Sequence, residues 1–508
     1  MIKWTKVLAM LLAMMMLFSV VACASTGDGE ETTAPKTEET TANNSGDSGN
    51  AEGTTGSGNT ETEMAQLSVP EDVKLNEEVS ILYWSDVEMA EFEVEDITGD
   101  TVGDEIYWRN KYTEGYLAIT LKWYGTPGNW GNRNAYANFV QASYEANDRT
   151  YDILAAYART LGICSAKGYL ADLNAVEDSY IDLSKPWWPQ SLVDTVTIGD
   201  SMYFISGDIS TNTLYFMYGI FCNVNMLNNL NLDDPHQLVM NDEWTLEKFM
   251  SMCEGVYADT DADGAASAGD TFGFVTHKLH LDQFYVGAGL KLIEKDEVDT
   301  LVMSPDYNSQ KLYDLVDTIQ KFIHSQDVFK NTSNSSAEFK EDRALFTHNR
   351  LYFADNHLKE VTFTYTILPC PKYDAEQETY LTVVGNPFSL WGIMSDVPAA
   401  DQTKYSAVLE VLGYYGYKHT SPAIFEVNYK SKYSETDEAS LMFDYIRSGV
   451  YHDLGRIFPT DLLSANMIEL VTAVIWNNES WASMYSTYAR GIKKKLATLV
   501  ETFEDYQA

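Results

Sequence analysis

The stretch YDILAAYARTLGICSAKGYLADLN, residues 151–174, decides the fold class of this 508-residue chain. Its first seven residues, Tyr151 to Tyr157, form a short apolar run of β-strand character. GYLADLN then reads as a turn into a small hydrophobic patch. Upstream, VSILYW (Val79–Trp84) is a second buried-strand pattern. After an acidic loop, LAITLKW alternates, with Leu117, Ile119, Leu121 and Trp123 on one face and Ala118, Thr120 and Lys122 on the other. RNAYANFVQASYEA changes to helical spacing, with Ala135, Phe139, Val140 and Ser143 on one stripe. Strands and helices in alternation predict α/β layers around a largely parallel sheet.

Downstream the same style returns in TLYFMYGIFCNVNML and in WTLEKFMSMCEGV, where Thr245 is placed to cap a helix. LVDTIQKFIHS and EDRALFTH read as helices. YSTYARGIKKKLATLVETF spaces Tyr485, Tyr488, Ile492, Leu496, Leu499 and Phe503 by three and four, predicting an amphipathic closing helix. The region from Glu77 onward exceeds the usual size of one domain and is expected to divide into two lobes.

The N-terminus carries Lys3 and Lys6, then an apolar run from Val7 to Ala22 that is short for a membrane span. This is the pattern of a secretory signal peptide over residues 1–22. Val20-Val21-Ala22-Cys23 resembles the lipobox of bacterial lipoproteins, which implies lipidation at Cys23. Residues from Ala24 to Leu67 are rich in Thr, Gly, Ser, Asn and Glu, too polar to offset their ordering entropy, and predict a disordered tether (residues 23–76 with the lipidated cysteine). The expected place is the outer face of the cytoplasmic membrane, held through the lipid alone.

Without Lys3 and Lys6 the chain has 32 basic against 75 acidic side chains, a net charge of −43. Nucleic acid is therefore excluded as a partner, for want of a basic face. Cys164, Cys222, Cys253 and Cys370 show no CxxC or zinc spacing and are expected as buried thiols. His277 and His280 lack a third ligand and make no metal site.

Over some 400 residues the chain resembles the extracellular solute-binding lipoproteins of carbohydrate ABC importers, related to maltose-binding protein. The resemblance is carried in order by the opening stretch, by PWWPQ and IGDSMYFISGDIS, by LYFMYGIFCNVNMLNNLNLDDPHQLVMNDEWTLEKF, and by TILPCPKYDAEQETYLTVVGNPFSLWGIM. It implies a two-lobed periplasmic-binding-protein type II fold with crossover hinge strands. The first lobe would hold residues 77–210 plus 386–440, the second 211–385 plus 441–508. It also implies a monomer that closes on a sugar and presents it to a permease, and not an enzyme.

Carried onto this sequence, the implied ligand residues are Trp84, Ser85 and Asp86 after the first strand, and Tyr157 and Arg159 after the third. Asp208 near the crossover, Asn356 and His357 where the family often has an aromatic, and Asn386, Phe388 and Trp391 on the return strand complete the set. Trp84 and Trp391 would be stacking platforms; Arg159 and Asp86 would fork onto vicinal hydroxyls. Trp187, Trp188 and Tyr203 are expected to pack the interior. A secreted glycoside hydrolase remains the alternative, needing two facing carboxyls about 5–9.5 Å apart. No GxSxG, HExxH or GxxxxGKS stretch is present. A surface carbohydrate-binding adhesin is the third reading.

DTDADGAASAGD, residues 259–270, matches the spacing of a calcium loop. Asp259, Asp261, Asp263, the carbonyl of Ala265, Ser267 and Asp270 fall at positions 1, 3, 5, 7, 9 and 12, with Gly264 at the turn. The TFGFVTH that follows reads as a strand, so a paired sensor is not expected; a structural Ca²⁺ is. Extracellular sites of this kind bind at roughly 10⁻⁴ to 10⁻³ M.

Overall fold

A computed structural model of the chain describes residues 66–334 and 336–507. The signal peptide, Cys23 and the expected tether up to residue 65 lie outside the described residues. Residues 66–76, also expected in the tether, pack on the fold instead: the buried Val69 accepts from the Tyr116 O–H through its carbonyl, and the Leu75 N–H donates to the Leu117 carbonyl. In chain order the strands of the two larger sheets are β1 (Glu78–Trp84), β2 (Thr120–Thr126), β3 (Ile153–Tyr157), β4 (Tyr218–Asn223), β5 (Phe272–Thr276), β6 (Val328–Lys330), β7 (Ala344–Arg350), β8 (Tyr365–Leu368) and β9 (Ser389–Ile393). The first sheet runs β9-β3-β1-β2, with β1 parallel to β2 and β3, and β9 antiparallel to β3. The second runs β6-β5-β7-β4-β8, with β5 parallel to its neighbours and β4 antiparallel to β7 and β8. Parallel neighbours need a crossover, and helices Thr101–Leu117 and Arg133–Ala146 supply it between β1, β2 and β3. The chain thus completes most of one sheet, builds the second, and returns to the first as β9. This is the expected α/β fold with two lobes.

Two segments cross side by side between the sheets. Met217 bridges Val384 antiparallel, and the Gly385 N–H donates to the Phe216 carbonyl at 2.7 Å. Helix Ala399–Tyr415 then packs on β9 and on helix Thr101–Leu117. Helix Asp437–Ser448 packs on β8 and on helix Pro235–Met240, so the last return to the second sheet's side begins at Asp437, ahead of residue 441. Gly416 passes so close to the first crossing that a Cβ there would meet the Asp208 carbonyl oxygen at 2.0 Å.

Four local expectations are corrected. The acidic loop after β1 contains a 17-residue helix, Thr101–Leu117, started by Asp100, whose side chain accepts from the Gly103 N–H. Its buried stripe is Val102, Ile106, Arg109, Asn110, Thr113 and Leu117: the helical period is present, but half its members are polar. Leu117 closes that helix, and β2 starts only at Thr120. EDRALFTH is not a helix. It feeds β7, a strand lying between β5 and β4, and such short apolar runs have the same pattern in either state. In helix Arg133–Ala146 the buried ring is Tyr136, whose O–H donates to Leu82, while Phe139 faces solvent.

Trp187 and Trp188 are interior, as expected, and the Trp188 indole donates to Glu410 at 2.8 Å. Tyr203 stacks on Phe503 of the closing helix Trp481–Gln507. Cys164, Cys222, Cys253 and Cys370 are buried free thiols; burial pushes Cys164 up to about 12. No helix among the described residues is long and apolar enough to cross a membrane.

Glu91 is buried beneath the first crossing, where it accepts a hydrogen bond from Asn212 and lies beside the Arg109 guanidinium. Arg109 in turn donates to the carbonyls of Glu91, Phe92 and Ile209. Burial pushes the Glu91 carboxyl up to about 7, against the pull of its hydrogen bonds and of Arg109. The folded chain therefore keeps a proton that the unfolded chain has released above 4.5. The stability from this group is full below that point and is lost as pH rises through about 7. Glu91→Gln, which keeps the shape and cannot ionise, should match the wild type at pH 4. At pH 8 it should exceed it by on the order of 1–3 kcal/mol in urea denaturation.

Candidate functional site

A cavity of about 360 Å³ lies between the two sheets and draws its walls from both. Glu88, Trp130, Tyr157 and Arg159 come from the carboxyl ends of β1, β2 and β3 and the segments that follow. Tyr218 opens β4 and Arg350 closes β7, directly opposite each other in the ladder, while His280 and Asp282 follow β5. Gly385, Asn386 and Pro387 belong to the return crossing, and Arg456 and Glu469 to the C-terminal helices. Ligands of open α/β sheets bind at such carboxyl ends. Larger grooves of about 480, 510 and 440 Å³ run beside helix Trp481–Gln507, beside helix Gln310–Ile323 and between Lys291–Lys295 and Tyr451–Leu454, but none of the three is lined from both sheets.

The cleft is built on paired charges. Arg159, 2% exposed, donates to Glu469 at 2.8 Å and through Nε to the Arg456 carbonyl at 2.9 Å. Arg456 pairs with Asp282 at 2.7 Å, both buried. Arg350 reaches across to Glu88 at 3.2 Å, its guanidinium lying over the Phe216 and Tyr352 rings. The chain has only nine arginines, and three line this cavity, each matched by one carboxylate. In a chain of formal charge −41 the cleft is thus formally neutral. Asp282 Oδ1 and Arg350 Nε are buried with no protein partner, one acceptor and one donor. Burial pushes the His280 imidazole down to about 3, which keeps it neutral. Its Nε2 faces Asn334 Oδ1 at 2.6 Å, leaving Nδ1 to accept from the Tyr218 O–H at 3.0 Å.

Of the residues carried over by resemblance, Tyr157, Arg159 and Asn386 line this cleft. The others do not. Trp84 is core, its indole tied to Ser389 at 2.8 Å behind Tyr157. Trp391 is buried in the middle of β9 among Phe92 and Trp123, so neither tryptophan is a platform. Ser85 sits at the strand end, bonded through its backbone to Thr126. Asp86 accepts from Gly128, Asn129 and Asn132, and so fixes the loop that presents Trp130. Asp208 accepts from Ser421 and Arg447, fastening the crossing. Asn356 and His357 are the exposed last residues of helix Tyr352–His357, whose Phe353, Ala354 and Asp355 are buried, and Phe388 is buried against His452. Sequence reasoning missed Glu88, Trp130, Tyr218, His280, Asp282, Arg350, Arg456 and Glu469. The scarcity of arginine was the signal available for Arg350 and Arg456.

In the acidic loop, carboxylate oxygens of Asp259, Asp261 and Asp263 gather within 4.8 Å of one another. Gly264, at φ +79°, turns so that its N–H donates to Asp259. Asp270 is not in the group. It is buried and accepts from the Thr260 and Ser267 N–H groups, which hold its carboxyl below the usual range. Ser267 Oγ lies 3.4 Å from Asp261, and the Ala265 N–H donates to Asp263.

No family model matches the chain, and no curated protein matches it. Solved structures do. A cyclo/maltodextrin-binding protein complexed with maltotetraose superposes with a TM-score of 0.54 at 12% identity, over 82% of this chain and 97% of that one. The galacto-N-biose/lacto-N-biose I-binding protein of an ABC transporter from Bifidobacterium longum gives 0.53 at 12% identity, over 83% and 97%. The maltose-binding protein MalE of Listeria monocytogenes, in complex with maltose, gives 0.52 at 12% identity, over 83% and 98%. The chain therefore has the two-lobed fold of these sugar-binding proteins.

Proposed function

We propose that this chain is a solute-binding protein that captures a neutral carbohydrate between its lobes and delivers it to an ABC importer permease. The observation that carries this reading is the cleft itself: three guanidiniums balanced by three carboxylates, beside Trp130, Tyr157 and Tyr218. Planar guanidinium and carboxylate groups give two-point hydrogen bonds to vicinal hydroxyls, and aromatic faces accept the C–H faces of a pyranose. An anion would find no unmatched positive charge there. The structural neighbours that bind maltose, maltotetraose and lacto-N-biose agree with this chemistry. Lipidation at Cys23 would hold the protein outside the cytoplasmic membrane.

A thermal-shift screen over neutral oligosaccharides and their uronates tests the reading. A neutral sugar at 100 times its Kd should add about 2.7 kcal/mol, with no hydrolysis products by chromatography. Stabilisation by uronates alone, or turnover of the sugar, would replace the reading with an acid-sugar binder or a glycosidase.

For the acidic loop we propose a structural Ca²⁺ held by Asp259, Asp261 and Asp263. Their three converging oxygens suit a hard cation that takes six to eight oxygen ligands. Calcium titration by calorimetry should give heat for the wild type and none for Asp259→Ala. Equal heats from both would remove the ion from this loop.

A further inference from the structure

One wall of the cleft is tied between the two sheets by a fixed cation and a movable carboxylate. Arg350, which closes β7, is held on several sides. Its guanidinium lies 4.8 Å from the Phe216 ring centre and 4.5 Å from that of Tyr352, and Nη2 donates to the Tyr352 hydroxyl at 3.0 Å. Its stem packs so closely on Gly385 that a Cβ there would meet Arg350 Cδ at 2.7 Å. Glu88, its partner at 3.2 Å, stands on the segment after β1 with its side chain 39% exposed, against 11% for Arg350. Met89 makes a second tie beside it, its sulfur accepting from the Asn356 amide at 3.2 Å on helix Tyr352–His357. At another wall Arg133 lies 3.9 Å over Trp130 and pairs with Asp461 at 2.9 Å. With these ties in place the cleft measures about 360 Å³, near the lower end of the roughly 300–1,000 Å³ of small-molecule sites and enough for about one or two pyranose rings.

Resting on the neutral-carbohydrate reading of this cleft, we propose that the Glu88–Arg350 pair is a length stop. A mono- or disaccharide fits beneath it, and a longer oligosaccharide enters only when Glu88 turns out into solvent. The terminal ring rests against the stop and takes Arg350 Nε, which is buried with no protein partner. A longer chain has to break the pair, exchanging a charge-assisted hydrogen bond for a weaker one to a neutral hydroxyl. Displacing Arg350 instead would also give up both rings and the Tyr352 hydroxyl, so Glu88 is the residue that sets the accepted length.

Isothermal titration of the whole chain with maltose and maltotetraose, cellobiose and cellotetraose, and mannobiose and mannotetraose tests the stop. In the series that binds, the wild type should take the disaccharide at least tenfold more tightly than the tetrasaccharide. Glu88→Ala should shift that ratio at least tenfold toward the tetrasaccharide, whatever it does to disaccharide affinity itself. The melting temperature of the variant, measured in parallel, reports its folding. A wild type that binds a tetrasaccharide as tightly as its disaccharide would overturn the stop and leave the neutral-sugar reading standing. An unchanged ratio in folded Glu88→Ala would likewise overturn it. No heat from any of the six sugars would overturn the stop together with the reading it rests on.

Discussion

Arg456→Ala is expected to cost the fold about 3–5 kcal/mol, read as a fall in the urea denaturation midpoint. Both members of the Arg456–Asp282 pair are buried, so removing the guanidinium leaves a carboxylate in the interior without a counter-charge. The loss also reaches the hinge, because Arg456 donates to the Val384 carbonyl on the return crossing. Replacing both partners, Arg456→Met with Asp282→Leu, removes the stranded charge and should return stability to within about 1–2 kcal/mol of wild type. Sugar binding should stay lost, since the polar pair is gone from the cleft wall. That split between recovered stability and unrecovered binding separates a site residue from a purely structural one.

Arg159→Met should weaken sugar binding by about 2–5 kcal/mol, roughly 30-fold to more than a thousandfold, measured by isothermal titration. Its guanidinium ties helix Ala158–Ala166, which follows β3, to Glu469 and to the Arg456 backbone. Stability should change far less than in Arg456→Ala, because Glu469 is 46% exposed and water takes over the freed carboxylate. Arg159→Lys should not rescue the affinity: a single ammonium cannot bond both Glu469 and the Arg456 carbonyl while presenting a planar face.

The fold was more legible than the site. β1 and β3 are runs buried along most of their length, and the closing helix repeats its apolar residues at three and four, so composition and period pointed the same way. Helix Thr101–Leu117 was hidden because Arg109, Asn110 and Thr113 occupy its buried stripe. β7 was misread because seven residues carry too little period to separate strand from helix. In the site, strand register decided matters that sequence could not. Trp84 ends β1 and Trp391 stands in the middle of β9, and both project into the core, whereas Trp130, in a loop shaped by Asp86, reaches the cleft. Asp282, Arg350 and Arg456 are separated by more than a hundred residues from Tyr157 and meet it only through the two crossings between the sheets.

The most direct measurement is the crystal structure of the chain with the neutral sugar that raises its melting temperature furthest. The expected density lies between Tyr157 and Arg350, with sugar hydroxyls on Asp282 and Arg159. Sugar bound solely outside the cleft, or a stabilising ligand that leaves the cleft empty, would contradict it.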